Sequence, residues 1–203
     1  MSDTPELTTP RLRLRAWTER DLAPFAALNA DPRVMEFFPA PLSGAESDAF
    51  AGRIRDHFAR HGYGFWAVQA PGVADFIGFV GLAVPTFQAR FMPCVEIAWR
   101  LAYDYWGRGY SSEAAVAVVD YAFASLRLDE IVSFTVPDNL RSRQVMGRLG
   151  MRRSPEDDFE HPALPEGHPL RAHVLYRLTR REWQARAAKL ARSRSGKSAP
   201  TAP

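Results

Sequence analysis

The run Val95-Glu96-Ile97-Ala98-Trp99-Arg100-Leu101, followed by Tyr105-Trp106-Gly107-Arg108-Gly109-Tyr110-Ser111-Ser112-Glu113-Ala114, decides how this chain is read. Its first part alternates in the period of a half-buried strand. After Glu113, Ala115, Val118, Val119, Ala122, Phe123 and Leu126 recur at helical spacing. Between strand and helix stand two glycines, which let the chain turn tightly and bring backbone N–H groups close to a ligand. A helix N-terminus behind them adds unpaired donors and a partial positive charge, which suits a phosphate or diphosphate. Taken alone, G-x-G is equally a tight connection. Two phosphate motifs are excluded. There is no G-x-x-x-x-G-K-[ST] with its lysine, and no G-x-G-x-x-G opening a βαβ unit.

Working outward, Arg11-Leu12-Arg13-Leu14-Arg15 alternates as a strand with leucines on one face. Thr18-Glu19-Arg20-Asp21 opens a helix with Leu22, Phe25, Ala26 and Leu28 as its apolar stripe, broken at Asp31-Pro32. Ser43-Gly44-Ala45-Glu46 has the form of a capping box, and a helix is expected from about Ala45 to Arg60. Phe65 to Gln69 and Phe76 to Val84 form a hairpin around Ala70-Pro71-Gly72. Ile131 to Val136 is a strand, stopped by Pro137. Asp138-Asn139 caps a helix through Leu149, with Gly150 as its left-handed end. Arg153 to Arg171 reads as an ordered loop and His173 to Leu178 as a strand. Thr179-Arg180-Arg181-Glu182 is another capping box, opening a basic helix over 179–192. Residues 193–203 are Ser/Pro/Ala/Lys-rich and expected to be disordered.

At 203 residues, with 46% hydrophobic and 24% charged, the chain has material for one packed α/β domain and is not disordered as a whole. A single cysteine, Cys94, excludes an internal disulfide and a cysteine-based metal site. The longest nearly apolar run, Phe76 to Pro85, is too short for a membrane span, and no signal peptide is legible, so a cytoplasmic protein is expected. Residues 179–203 hold seven of the 26 Lys/Arg and one of the 23 Asp/Glu, leaving 19 against 22 in the body. A mildly acidic body does not suit nucleic-acid binding.

The central stretch resembles the acetyl-CoA motif of the GNAT N-acetyltransferase superfamily, and more narrowly the RimJ/RimL type with its W-G-x-G-Y-[AS]-[ST]-E-A loop. Thr9-Pro10-Arg11-Leu12-x-Leu14-Arg15 is similar to that branch's opening strand, and Asn139-Leu140-Arg141-Ser142 with Leu149-Gly150 to its N-x-x-S…L-G helix. The resemblance implies one transferase domain over residues 7–178. Its mixed, mostly antiparallel sheet of about seven strands is flanked by helices, with acetyl-CoA held where two central strands splay. It implies cofactor contacts from Ile97, Ala98, Trp99, Arg108, Gly109, Tyr110, Ser111, Ser112, Glu113, Asn139 and Ser142, and no metal. The expected partners are acetyl-CoA and an amine acceptor, either a protein N-terminus or a small molecule. A homodimer is left open, and a CoA-binding module without turnover is the alternative to an enzyme.

The reaction needs a neutral amine. An N-terminal amine, with a pKa of about 7.7–8.0, is partly neutral at pH 7, unlike a lysine amine at about 10.4. Glu96 is the candidate base, directly or through a water; the competing reading is a sheet glutamate paired with Arg100. Replacing Glu96 by Gln is then expected to lower turnover mainly at low pH. In the family reading, a backbone N–H near Ile97 or Ala98 faces the thioester oxygen. Asn139 is expected to hold the cofactor, and Ser142 to meet the departing sulfur as the second catalytic candidate; alternatively, Asn139 is a plain helix cap. Phe37 and Phe38 are expected to border the acceptor. His161 and His168 lie in a proline-rich wall, with His168 taken as an acceptor contact.

Overall fold

The computed structural model describes residues 4–195, and side chains as far as Lys189. Strands β1 (Leu7–Thr8) and β2 (Arg13–Arg15) lead into helices α1 (Leu22–Ala30) and α2 (Gly44–His61). A meander follows, β3 (Phe65–Ala70), β4 (Ala74–Ala83) and β5 (Glu96–Leu101), then helix α3 (Tyr110–Ala124) and strand β6 (Glu130–Thr135). Helix α4 (Leu140–Leu149), the short strands β7 (Arg152–Arg153) and β8 (Phe159–Glu160), strand β9 (Ala172–Thr179) and helix α5 (Arg180–Ser195) complete it. The sheet order is β1-β2-β3-β4-β5-β6-β9-β7, with β8 also on β9. Every pair is antiparallel except β5–β6. Nine strands stand among the described residues against the expected seven or so, and three of them, β1, β7 and β8, are two-residue ladders with no periodicity to detect.

Alternation in the strands sorts two cores. On one face Leu12, Leu14, Ile77, Ile97 and Ile131 pack with Ala115, Val118, Val119 and Ala122 of α3 and with Met146 and Leu149 of α4. On the other, Ala67, Phe76 and Phe79 meet Phe25 and Leu28 of α1 and Ala51 and Ile54 of α2. Charge and capping fix the joints. Arg15 grips the buried Asp21 through two bonds of 2.7 and 2.8 Å, and Asp21 also accepts the Thr18 N–H. Ser43 and Glu46 cap α2, and Thr179 and Glu182 cap α5. His57 Nδ1 donates to the Tyr63 carbonyl at 2.8 Å while Nε2 accepts the Val84 N–H at 3.1 Å, tying α2 to the end of β4.

The C-terminal helix runs to Ser195 rather than stopping at 192, because no glycine or proline intervenes before Gly196. Residues 193–195, expected to be disordered, are therefore helical, and the rest of that stretch, 196–203, lies outside the described residues.

Candidate active site

β5 pairs with β4 along its whole length, from Glu96↔Ala83 to Leu101↔Gly78, but with β6 only at Glu96↔Val132. Beyond that pair the two parallel strands part, and a cleft of about 700 Å³ fills the opening. Successive peptide groups of a strand address opposite neighbours. The Val95 carbonyl addresses β6, accepting the Val132 N–H at 2.9 Å, and the Ala102 N–H addresses β4 through Ile77. By that alternation the Trp99 N–H faces the opening, whereas Ala98 addresses β4. Of the two residues from which sequence expected such a donor, Ile97 shares the direction of Trp99 but lies beside the Glu96↔Val132 pair, and Ala98 faces β4.

The mouth is the N-terminus of α3. Gly107 and Gly109 take left-handed φ values of +72° and +81°, a conformation that other residues resist. Gly109 is the N-cap and offers no side-chain acceptor, whereas α2, α4 and α5 are capped by their own serine, asparagine and threonine. The first-turn N–H groups of α3 are therefore left for an outside acceptor, and Gly109, Tyr110, Ser111 and Ser112 border the cleft. A Cβ at Gly107 would meet nothing within 4 Å, so the loop leaves open space. Backbone donors and empty volume at a helix N-terminus fit a diphosphate.

Across the opening, α4 begins at Asn139. Its Oδ1 accepts the Ser142 N–H at 3.1 Å and its Nδ2 donates to Thr135 Oγ1 at 3.0 Å. Asn139 is thus a helix cap, and both Asn139 and Ser142 also line the cleft.

The side chains of Glu96, Ala98 and Arg100 share the α1–α2 face of β5, opposite Ile97 and Leu101. Glu96 is half-buried and opens on the cleft, and burial pushes its pKa up from 4.5 to about 8. It makes no ion pair with Arg100. That guanidinium donates instead to Asn29 Oδ1 at 2.6 Å, and burial lowers its pKa to about 10. The neighbouring Cys94 thiol is pushed up to about 11 by burial and by Glu96, which disqualifies it as a thiolate nucleophile.

Other sequence candidates divide. Phe37, Phe38, Ala98 and Trp99 line the cleft. Ile97 is buried in the α3 core, and Arg108 is exposed outside the lining. Glu113 turns away, accepting from Thr9 Oγ1 at 2.6 Å and from Arg11 N at 2.9 Å, so it ties the N-terminal strands to α3. His168 also lies outside the cleft, its Nδ1 accepting the Leu170 N–H at 3.1 Å. His161 and His173 line it instead, among the rings of Phe87, Phe134 and Phe159; burial lowers both pKa values. Arg100, Trp106 and Arg141 also border the cleft, and Arg141 spans it by pairing with Glu36 and covering the Trp106 ring at 4.6 Å. None of the three was named as a site residue from sequence, although Trp106 and Arg141 stand inside the quoted motifs and Arg100 on Glu96's face of an alternating run. No cluster of three or more His, Cys, Asp or Glu is placed to hold a metal among the described residues, nor is any helix there long and apolar enough to cross a membrane.

This architecture is that of an acyltransferase. Residues 11–152 match the acetyltransferase (GNAT) domain, and the chain belongs to that family. It is 30% identical over 179 residues to the uncharacterized N-acetyltransferase YnaD of Bacillus subtilis, covering 87% of this chain and 98% of that one. The FsC-acetyl coenzyme A-N(2)-transacetylase of Aspergillus fumigatus is 30% identical over 190 residues, 88% of this chain and 78% of the relative. Among solved structures, a GNAT acetyltransferase from Bacillus anthracis superposes with a TM-score of 0.72 at 23% identity, over 88% and 100% of the two chains. An acetyltransferase from Agrobacterium tumefaciens gives 0.68 at 28%, over 86% and 94%.

Proposed function

We propose that this chain is a cytoplasmic, acetyl-CoA-dependent N-acetyltransferase of the RimJ/RimL type that acts on a primary amine, with residues 7–178 as the catalytic unit. The observation that carries this reading is an uncapped, glycine-led helix N-terminus opening onto the same cleft as a half-buried, unpaired carboxylate. When bound, acetyl-CoA supplies an activated thioester and a thiol leaving group. The backbone N–H groups from Gly109 to Ser112 hold its diphosphate. The Trp99 N–H polarises the thioester carbonyl, and Ser142 Oγ donates toward the sulfur. Glu96 takes the amine's proton, directly or through one water, and its raised pKa suits that work near neutral pH.

The RimJ/RimL-type motifs favour a protein N-terminal α-amine as the acceptor. A second reading, a small amine, is favoured by the aromatic enclosure of Phe37, Phe38, Phe50, Phe65 and Phe79 on the acceptor side and by the relative named for FsC. Free-thiol release from acetyl-CoA, measured with peptides starting in Ala or Ser and with a panel of small amines, separates the two. Absence of both acetyl-CoA binding by calorimetry and thiol release with every amine refutes the proposal.

A further inference from the structure

Four residues beyond Glu96 on the same face of β5, the Arg100 guanidinium lies in the acceptor half of the cleft. Nη1 donates to Asn29 Oδ1 at 2.6 Å, and the fully buried Asn29 is fixed in turn by donating to Ser47 Oγ at 2.9 Å. The cation lies 4.1 Å from the ring centre of Phe38 and 5.6 and 5.5 Å from those of Phe50 and Phe79. Its Nε is buried with no hydrogen-bond partner, and burial alone accounts for its lowered pKa, with no carboxylate opposing it.

Such an arrangement is costly. A buried cation with one neutral partner is less stabilising than an apolar side chain of the same size. The rings return part of that through cation–π attraction, but the orphaned Nε–H stays uncompensated. With Nη1 committed to Asn29, the edge formed by Nε and Nη2 is the side-on fork whose geometry matches a carboxylate. Asn29 and Ser47 hold that fork in place before any ligand arrives. Of the three rings around the guanidinium, Phe38 is the nearest, and it belongs to a loop and is 39% exposed at the cleft rim.

We propose that the acceptor amine carries a carboxylate, received by the Nε–Nη2 edge of Arg100 once Phe38 slides aside, while the amine lies toward Glu96. This rests on the acetyl-transfer reading above and adds the chemical class of the acceptor. Four residues of strand span about 13 Å, so the spacing favours a carboxylate several bonds removed from the amine.

The test is calorimetry on CoA-saturated protein with an ω-amino carboxylate series from glycine to 6-aminohexanoate, each compared with its neutral amino alcohol. A second arm uses tripeptides with Asp or Asn at the second position. In the wild type, one series is expected to show carboxylates binding at least about tenfold tighter than their neutral partners, and that series identifies a free or a peptide-borne carboxylate. Arg100→Met is expected to bring the ratio to about one, and Arg100→Lys to retain part of it. A wild-type ratio of one in both arms, or an unchanged ratio in Arg100→Met, overturns the proposal. Where Arg100→Met fails to fold by circular dichroism, the wild-type ratio and Arg100→Lys decide alone. Thiol release on the same compounds keeps the parent reading separate. An Arg100-dependent carboxylate preference in binding, without thiol release from any amine, refutes acetyl transfer and leaves the anion site standing.

Discussion

Replacing Glu96 by glutamine removes the proposed base while keeping the side chain's size. With a pKa of about 8 in the free protein, only about a tenth of Glu96 is ionised at pH 7. The acceptor amine, with a pKa of about 7.7–8.0 for an N-terminal α-amine, must also be neutral. Below pH 7 the logarithm of kcat/KM therefore rises with a slope of two in the wild type, one unit from each group. In the glutamine variant the slope falls to one, because only the amine still titrates. The deficit is accordingly largest above pH 8, where the wild-type base is fully charged, and is expected to reach about 10²-fold. This reverses the low-pH loss expected from sequence, since burial keeps Glu96 protonated and idle there. Initial-rate profiles from pH 6 to 9.5 provide the assay, with acetyl-CoA saturating and acceptor well below KM. Parallel profiles of equal slope would show that Glu96 transfers no proton.

Gly109→Ala places a side chain at a φ of +81°, costing about 1–2 kcal/mol, and turns the α3 donors; Tm is expected to drop and the acetyl-CoA KM to rise. Asp21→Asn leaves Arg15 without its buried partner and is expected to cost about 3–5 kcal/mol by urea denaturation. His57 has a folded pKa below its ordinary 6.5, mainly through burial. Its contribution is full above that pH and fades as pH falls toward the depressed value. Stability is therefore expected to fall between pH 7 and 5 in urea melts, with a shallower fall in His57→Gln.

Most of the framework was legible because it is written in local periodicity. The alternation of Arg11 to Arg15 and the Ser43, Asn139 and Thr179 caps name their elements within a few residues, and Gly150 ends its helix in the expected left-handed state. The two-residue strands were not legible, since a ladder that short takes its pairing from β9 rather than from its own pattern. The site divided along the same line. Residues close in sequence, from Gly109 to Ser112 and from Asn139 to Ser142, reach the cleft together because one helix start carries each group. Glu113 did not follow, because Thr9 and Arg11, some hundred residues away, claim its carboxylate. His168 lies outside the cleft that His161 and His173 line, although all three engage Nδ1 within their own segment, so the local sequence does not tell them apart. Strand alternation puts Glu96 and Arg100 on one face but cannot say whether they meet.

That they do not meet is visible in the direction of both shifts. A salt bridge lowers a carboxylate's pKa and raises a guanidinium's; here Glu96 rises and Arg100 falls, each driven toward neutrality by burial without an opposite charge. The consequence for stability can be measured on Glu96. The unfolded chain releases its proton near pH 4.5, the folded one only near 8. Stability held below pH 4.5 is therefore lost as pH rises through that window. At 1.36 kcal/mol per unit the ceiling is about 4–5 kcal/mol, and contact with cleft water reduces it to roughly 2–3. Glu96→Gln, which has no proton to lose, is expected to melt higher than the wild type at pH 9, with the gap closing toward pH 5. A salt-bridged glutamate predicts the opposite, because its glutamine variant would strand Arg100 and melt lower at every pH above 5. A lower Tm for Glu96→Gln at pH 9 would therefore mean that the two charges pair, and with that pairing both the free base and the free anion anchor would be lost.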